Sequence, residues 1–142
     1  MSDDNDRTVD RLAIIEMLAR YSQAWDGRDP DTYASLFAED AVFEAFVGDA
    51  DEPVIRNDGR GAILAWARER IAARDPAEGH RHHQSGTIFD ELEADRARTR
   101  TMLLETRRRG GRPEPWVTGI YTDDWRRTPD GWRFTKRSLR MD

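Results

Sequence analysis

Three helix-forming segments followed by four long strand-forming segments predict an α+β domain, helices first and antiparallel meander after. Two observations carry this reading. Apolar residues step by three and four through positions 10–25 and again through 59–73, the spacing of one helical face. From about position 81 the chain changes to long stretches rich in β-branched and aromatic residues, separated by turn residues. The length of 142 residues suits one domain, and five Trp, five Phe and three Tyr supply bulky core material that a disordered chain lacks.

Residues 1–7 read as a flexible acidic tail, with one domain over 8–142. Thr8 or Asp10 can cap the first helix, whose face is Ile14, Leu18, Tyr21 and Trp25, widened by Leu12, Ile15 and Ala24. Gly27 stops it. Asp29-Pro30-Asp31 opens a short second helix with Tyr33, Leu36 and Phe37 on its buried side. A strand follows over 41–47, then a loop over 48–58. Gly59 to Ala73 is the third helix, with Ile63, Ala67 and Ile71 stepping by four. Four strands close the chain, at about 81–92, 97–107, 116–126 and 132–140, turned by Asp95, Gly110-Gly111 and Pro129-Asp130-Gly131.

The net charge of −5 and pI near 5.3 oppose phosphate backbones, so no nucleic-acid partner is expected. Arg107-Arg108-Arg109 is the one basic run, read as a solvated hairpin tip. Without cysteine there is neither disulfide nor thiolate chemistry. The acidic start is unlike a secretory signal, and no window approaches the roughly 18 apolar residues of a membrane span. A cytoplasmic location is the expectation.

His80, His82 and His83 are the only histidines, the natural acid–base groups near neutral pH. On a strand only one of His82 and His83 enters a given face. His80-x-His82 with Glu78 is the spacing of a metal pair, but no histidine follows later in the chain to complete a ligand set, and neither a metal nor a cofactor is expected. Tyr21 and Asp26 lie at the end of the first helix, where core packing and an exposed acid are the plain alternatives. Glu105 and Arg137 fall mid-strand, on either a solvated face or a pocket wall.

The order of these elements resembles the SnoaL-like, nuclear-transport-factor-2-like superfamily. The matching stretches are 11–21, Trp25-Asp26-Gly27-Arg28-Asp29, 33–43, Gly59-Arg60-Gly61-Ala62-Ile63, His82-His83, 119–125 and Gly131-Trp132-Arg133-Phe134. The resemblance implies three helices packed on a strongly curved mixed, mainly antiparallel sheet forming a cone-shaped pocket, the cystatin-like α+β barrel. The superfamily includes scytalone dehydratase, bile-acid dehydratase, lindane dehydrochlorinase, ketosteroid isomerase, polyketide cyclases, small subunits of ring-hydroxylating dioxygenases, and non-catalytic binding modules, so fold alone does not give function.

Motif placement is most similar to the dehydratase and dehydrochlorinase branch. That likeness implies a catalytic Asp26–His83 dyad with Tyr21, Glu105 and Arg137 beside it, and substrate walls of Trp25, Phe43, Phe46 and Trp66. It implies a cofactor-independent dehydratase-type lyase or isomerase acting on a small hydrophobic cyclic molecule, as a homodimer paired through the sheet face. A ligand-binding or dimerisation module of the same fold, a polyketide cyclase and a dioxygenase small subunit stay open. In the ketosteroid isomerase alternative, Glu44 would be the base.

Overall fold

The computed structural model describes residues 3–142, with side chains from Arg7. Its elements are α1 (Asp3–Asp26), α2 (Pro30–Ser35), β1 (Phe37–Val47), β2 (Ile55–Asp58), α3 (Arg60–Ala72), β3 (Gly79–Leu92), β4 (Arg96–Arg109), β5 (Arg112–Thr128) and β6 (Gly131–Met141). One six-stranded sheet runs in the order β2-β1-β6-β5-β4-β3. Every neighbour is antiparallel except β1 with β6. The helices pack on one face of this mixed, unclosed sheet, the α+β class the sequence predicts and the mixed sheet the family resemblance implies.

Three details depart from expectation. The expected tail lies partly outside the described residues, and its described part, from Asp3, is already helical. Asp10 is therefore no cap; its carboxylate sits inside α1 and accepts bonds from Arg127 and from Trp132 Nε1, tying the helix to β5 and β6. Leu12 and Ile15 are exposed, so the buried stripe of α1 is narrower than its composition suggests. Third, β2 replaces part of the expected loop. Ile55-Arg56-Asn57-Asp58 has little intrinsic β preference. It forms by pairing with β1, and Arg56 Nη1 clamps Glu44 Oε2 at 2.9 Å across that pair.

The core lies between the helices and the inner sheet face. Tyr21, Tyr33, Phe37 and Phe134 meet at tilted or edge-on angles, and Trp125 stacks on Phe134 with ring centroids 4.0 Å apart. Trp125 Nε1 donates to Thr99 Oγ1, so its one polar atom is satisfied in the buried interior. The outer face of the sheet carries exposed Ile88, Met102, Leu104 and Ile120.

Gly119 marks the tightest contact between β5 and β6. A Cβ there would lie 2.5 Å from the Arg140 carbonyl oxygen and 3.1 Å from Met141 Cα, both backbone atoms that cannot swing aside. Gly119→Ala is expected to destabilise the fold by about 1–3 kcal/mol, read as a fall in the urea midpoint at unchanged m-value. An unchanged midpoint would show that the strands can separate there without loss.

Two bulges decide what faces inward. In β3, Ser85 pairs with Met102 but Ile88 pairs with Arg100, so β3 holds one extra residue between them, with Gly86 at a φ of 64°. In β5, Val117 opposes Glu105 while Pro115 opposes Thr106, which leaves Trp116 as the extra residue. Pro113 and Pro115 are tolerated because β6 pairs with β5 only from Gly119 onward, leaving that edge free.

Candidate active site

Asp26 ends α1 and reaches β3. Its Oδ1 lies 2.7 Å from His82 Nδ1, and its Oδ2 accepts from the His82 backbone N–H at 2.8 Å. The two side chains are only 5% and 8% exposed. An acid at a helix C-terminus faces the negative end of the macrodipole. Here two hydrogen bonds offset that, and both carboxylate oxygens are fixed.

The expected partner, His83, is not the one. It lies on the exposed outer face, with Nε2 3.0 Å from Thr106 Oγ1. The reason is the bulge at Gly86. Thr87 and Phe89 face the core, and counting back from them in twos arrives at His83. The extra residue inverts that parity, so His82 and Gln84 point inward instead.

Strand pairing sets Glu105 opposite His82. Glu105 Oε2 lies 3.5 Å from His82 Nε2, longer than a hydrogen bond, and its Oε1 lies 3.2 Å from His80 Nδ1. His80 Nε2 is 3.5 Å from Glu78 Oε2. Acids and imidazoles thus alternate from Asp26 through His82, Glu105 and His80 to Glu78. Trp116, the extra residue of its bulge, is half-exposed and meets the His80 ring edge-on at 4.9 Å. The site residues that sequence reasoning did not assign are His82, His80 and Trp116. Strand alternation left His82 as one of two choices; nothing in the sequence pointed to Trp116. Among the described residues no three of the acid and imidazole groups are placed to hold a metal ion.

Tyr21 stands behind this row, its ring centroid 6.5 Å from that of His82. The Tyr33 hydroxyl donates to Tyr21 Oη at 3.2 Å. Burial holds the Tyr21 pKa above its usual value, and those of Tyr33 and Tyr121 well above, so all three remain protonated.

Arg137 does not reach the reacting groups. It is fully buried, its guanidinium 4.0 Å from the Tyr21 ring centre and 3.5 Å from that of Tyr121. It donates to Gln84 Oε1, and Gln84 in turn donates to Leu18 O and Ser22 Oγ of α1. Its Nε lies 3.1 Å from Asp123 Oδ1, a buried ion pair without good hydrogen-bond alignment. Burial raises the Asp123 pKa to about 7 even though the Arg137 charge pulls it down. Arg137 therefore packs the tyrosines and braces α1 against β3.

Of the four predicted wall aromatics, Trp25, Trp66 and Phe43 form one series. Trp66 stacks on both others at 5.1 Å. Phe46 does not belong to it: strand alternation sends it to the opposite sheet face, under Arg140 at 4.6 Å. Glu44 shares that opposite face, held by Arg56 and by Lys136 Nζ at 3.2 Å, so it cannot act as the base of an isomerase site beside Trp66.

Residues 6–138 match the SnoaL-like domain model. The chain belongs to the SnoaL-like family. An uncharacterized protein of Mycobacterium tuberculosis is 30% identical over 132 residues, spanning 90% of this chain and 82% of that one. A solved structure from Novosphingobium aromaticivorans, described as a candidate scytalone dehydratase, is 27% identical with a TM-score of 0.81, over 100% of this chain and 89% of that one. The β subunit of a candidate aromatic-ring-hydroxylating dioxygenase from the same organism has a TM-score of 0.84 at 19% identity, over 96% and 91% of the two chains, and shares the fold. Among the described residues of this SnoaL-like chain, no helix is long and apolar enough to cross a membrane.

Proposed function

We propose that this protein is a cofactor-independent lyase or isomerase of the dehydratase type, with His82 as its base. The observation that carries the reading is the double hydrogen bond from His82 to Asp26. Asp26 accepts the Nδ1 proton, which leaves Nε2 of the neutral ring as the free acceptor. In this reading that nitrogen takes a proton from carbon beside a carbonyl. The C–H electron pair then forms the double bond as hydroxide leaves from the next carbon. Asp26 on one side and Glu105 on the other stabilise the imidazolium that forms. Glu105, 3.5 Å from Nε2, is also the group that can relay the proton onward toward His80. The Tyr21 hydroxyl, which accepts from Tyr33 and keeps its own proton, is the available neutral donor for a developing oxyanion. The likeness to the candidate scytalone dehydratase supports this class of reaction.

The test is a panel of cyclic β-hydroxy ketones, with water loss followed by the absorbance of the conjugated product. On the substrate that turns over, His82→Gln is expected to lower kcat by about 10²–10⁴-fold, the usual contribution of positioned proton transfer. His83→Gln is expected to leave it within a fewfold. Loss at His83 with retention at His82 would overturn the assignment.

A further inference from the structure

We propose that the cleft beside the Asp26–His82 pair is an anion-binding subsite, which takes the carboxylate or phosphate group of the substrate. That the anion belongs to the substrate rests on Asp26 and His82 being the reacting centre; that the cleft binds anions does not. The cleft has a volume of about 560 Å³ and opens against Asp26 and His80. Four arginines line it, Arg28, Arg74, Arg81 and Arg108, against two carboxylates, Asp26 and Glu78.

Both carboxylates are already engaged. Asp26 holds His82, and Glu78 accepts from Arg109 at 2.8 Å. The four arginines are not. Arginines on the outer sheet face find acids, as Arg98 does with Asp124 and Arg100 with Asp90. Among the described residues none of the four in the cleft forms an ion pair. Arg28 donates only to Asp75 O, and Arg74 only to Trp25 O, each at 3.2 Å, leaving most of their five N–H groups for a ligand. Arg74 is half-buried, and its pKa is lowered first by that burial and then by the charge of Arg28. Arg28, Arg81 and Arg108 are exposed and stand around the half-buried Arg74, and a bound anion relieves the repulsion among these like charges.

The backbone gives an independent sign. Arg28 follows the end of α1 at a φ of 59°, the only described non-glycine residue in the left-handed region. Glycine would take that conformation without strain. An arginine at this place is a poor choice for folding and a good one for reaching the cleft mouth.

Binding is measured on the whole chain by titration calorimetry with benzoate, phenyl phosphate and inorganic phosphate, with phenol as the neutral control. Saturable binding of benzoate or phenyl phosphate, weakening as salt rises, is expected in the parent protein. Inorganic phosphate tells whether the arginines read the charge alone or the charge with an aromatic body. Arg74→Gln with Arg108→Gln is expected to weaken binding by about tenfold or more. Arg28→Gly is expected to weaken it while raising the thermal midpoint, a pair of effects that general unfolding cannot produce. His82→Gln is expected to retain binding. If no anion saturates the protein below about 10 mM, or if the arginine variants bind as the parent does, the proposal is wrong. If binding behaves as expected but His82→Gln keeps full turnover, the catalytic assignment fails and the anion cleft stands.

Discussion

Arg137→Met is expected to destabilise the protein by about 3–5 kcal/mol at pH 8, a large share of the 5–15 kcal/mol that holds a domain of this kind together. Methionine fills part of the volume between the Tyr21 and Tyr121 rings but replaces neither the bond to Gln84 nor the charge beside Asp123. Gln84 then loses the partner that fixes it between β3 and α1, and Asp123 is left as a buried acid without a counter-ion. The loss is also pH-dependent. The Asp123 pKa is raised to about 7, chiefly by burial, so in the parent its contribution to stability falls as pH rises from about 4 to about 7 and is level above that. Without Arg137, the one group that lowers this pKa, the decline continues past pH 7. Parent and variant therefore run parallel below pH 7 and diverge above it by up to about 1.4 kcal/mol per pH unit. Asp123→Asn removes the slope between pH 4 and 7. The exposed acids Asp29, Asp40, Asp90 and Glu93, with the partly buried Glu78, act in the opposite sense and in a separate window. Bonds to Thr32 or to nearby arginines lower their pKa values, so what they contribute is lost only on stronger acidification. Urea titrations from pH 5 to 9 check all three curves. A variant within about 1 kcal/mol of the parent at pH 8 would show that the buried pair holds nothing together.

The same cluster shows what a sequence can and cannot carry. The apolar steps at Ile14, Leu18 and Tyr21, and at Ile63, Ala67 and Ile71, survive folding because a helix keeps one phase along its length. A strand keeps its phase only until a bulge. Gly86 is visible in the sequence, but whether a strand glycine makes a bulge depends on the partner strand, and that one residue exchanges His82 for His83. Trp116 is brought against His80 in the same way. Arg137 was left between a solvated face and a pocket wall by its mid-strand place, and only the family resemblance turned it toward a ligand. Its cage of tyrosines comes from α1 and β5, elements far apart in the chain, and no local pattern announces it. Asp26 entered the candidate site through the family resemblance; its position at the end of α1 left an exposed helix-end acid as the plain reading. The short β2 was not legible, because its pairing with β1 and the Arg56–Glu44 contact, rather than its composition, make it a strand.

Asp26→Asn is expected to lower kcat by about 10²–10⁴-fold while leaving the fold intact. The carboxylate accepts two protons, from His82 Nδ1 and from the His82 backbone N–H. An amide can accept only one of them. If its oxygen keeps the backbone N–H, its NH₂ faces Nδ1, which must then become the acceptor. The ring proton moves to Nε2, the nitrogen that would have taken the proton from the substrate. If the amide turns the other way, NH₂ meets N–H and the backbone bond of β3 is lost. The first arrangement is the less costly, so the variant holds its imidazole in the wrong tautomer at the right place. Two readouts separate this from simple unfolding. The ¹⁵N shifts of His82 should exchange the protonated and unprotonated nitrogens. The urea midpoint should move little, because removing a negative charge from the C-terminus of α1 offsets part of the lost hydrogen bond. A variant that retains both the parent tautomer and a kcat within a fewfold would show that Asp26 anchors β3 to α1 and does no more.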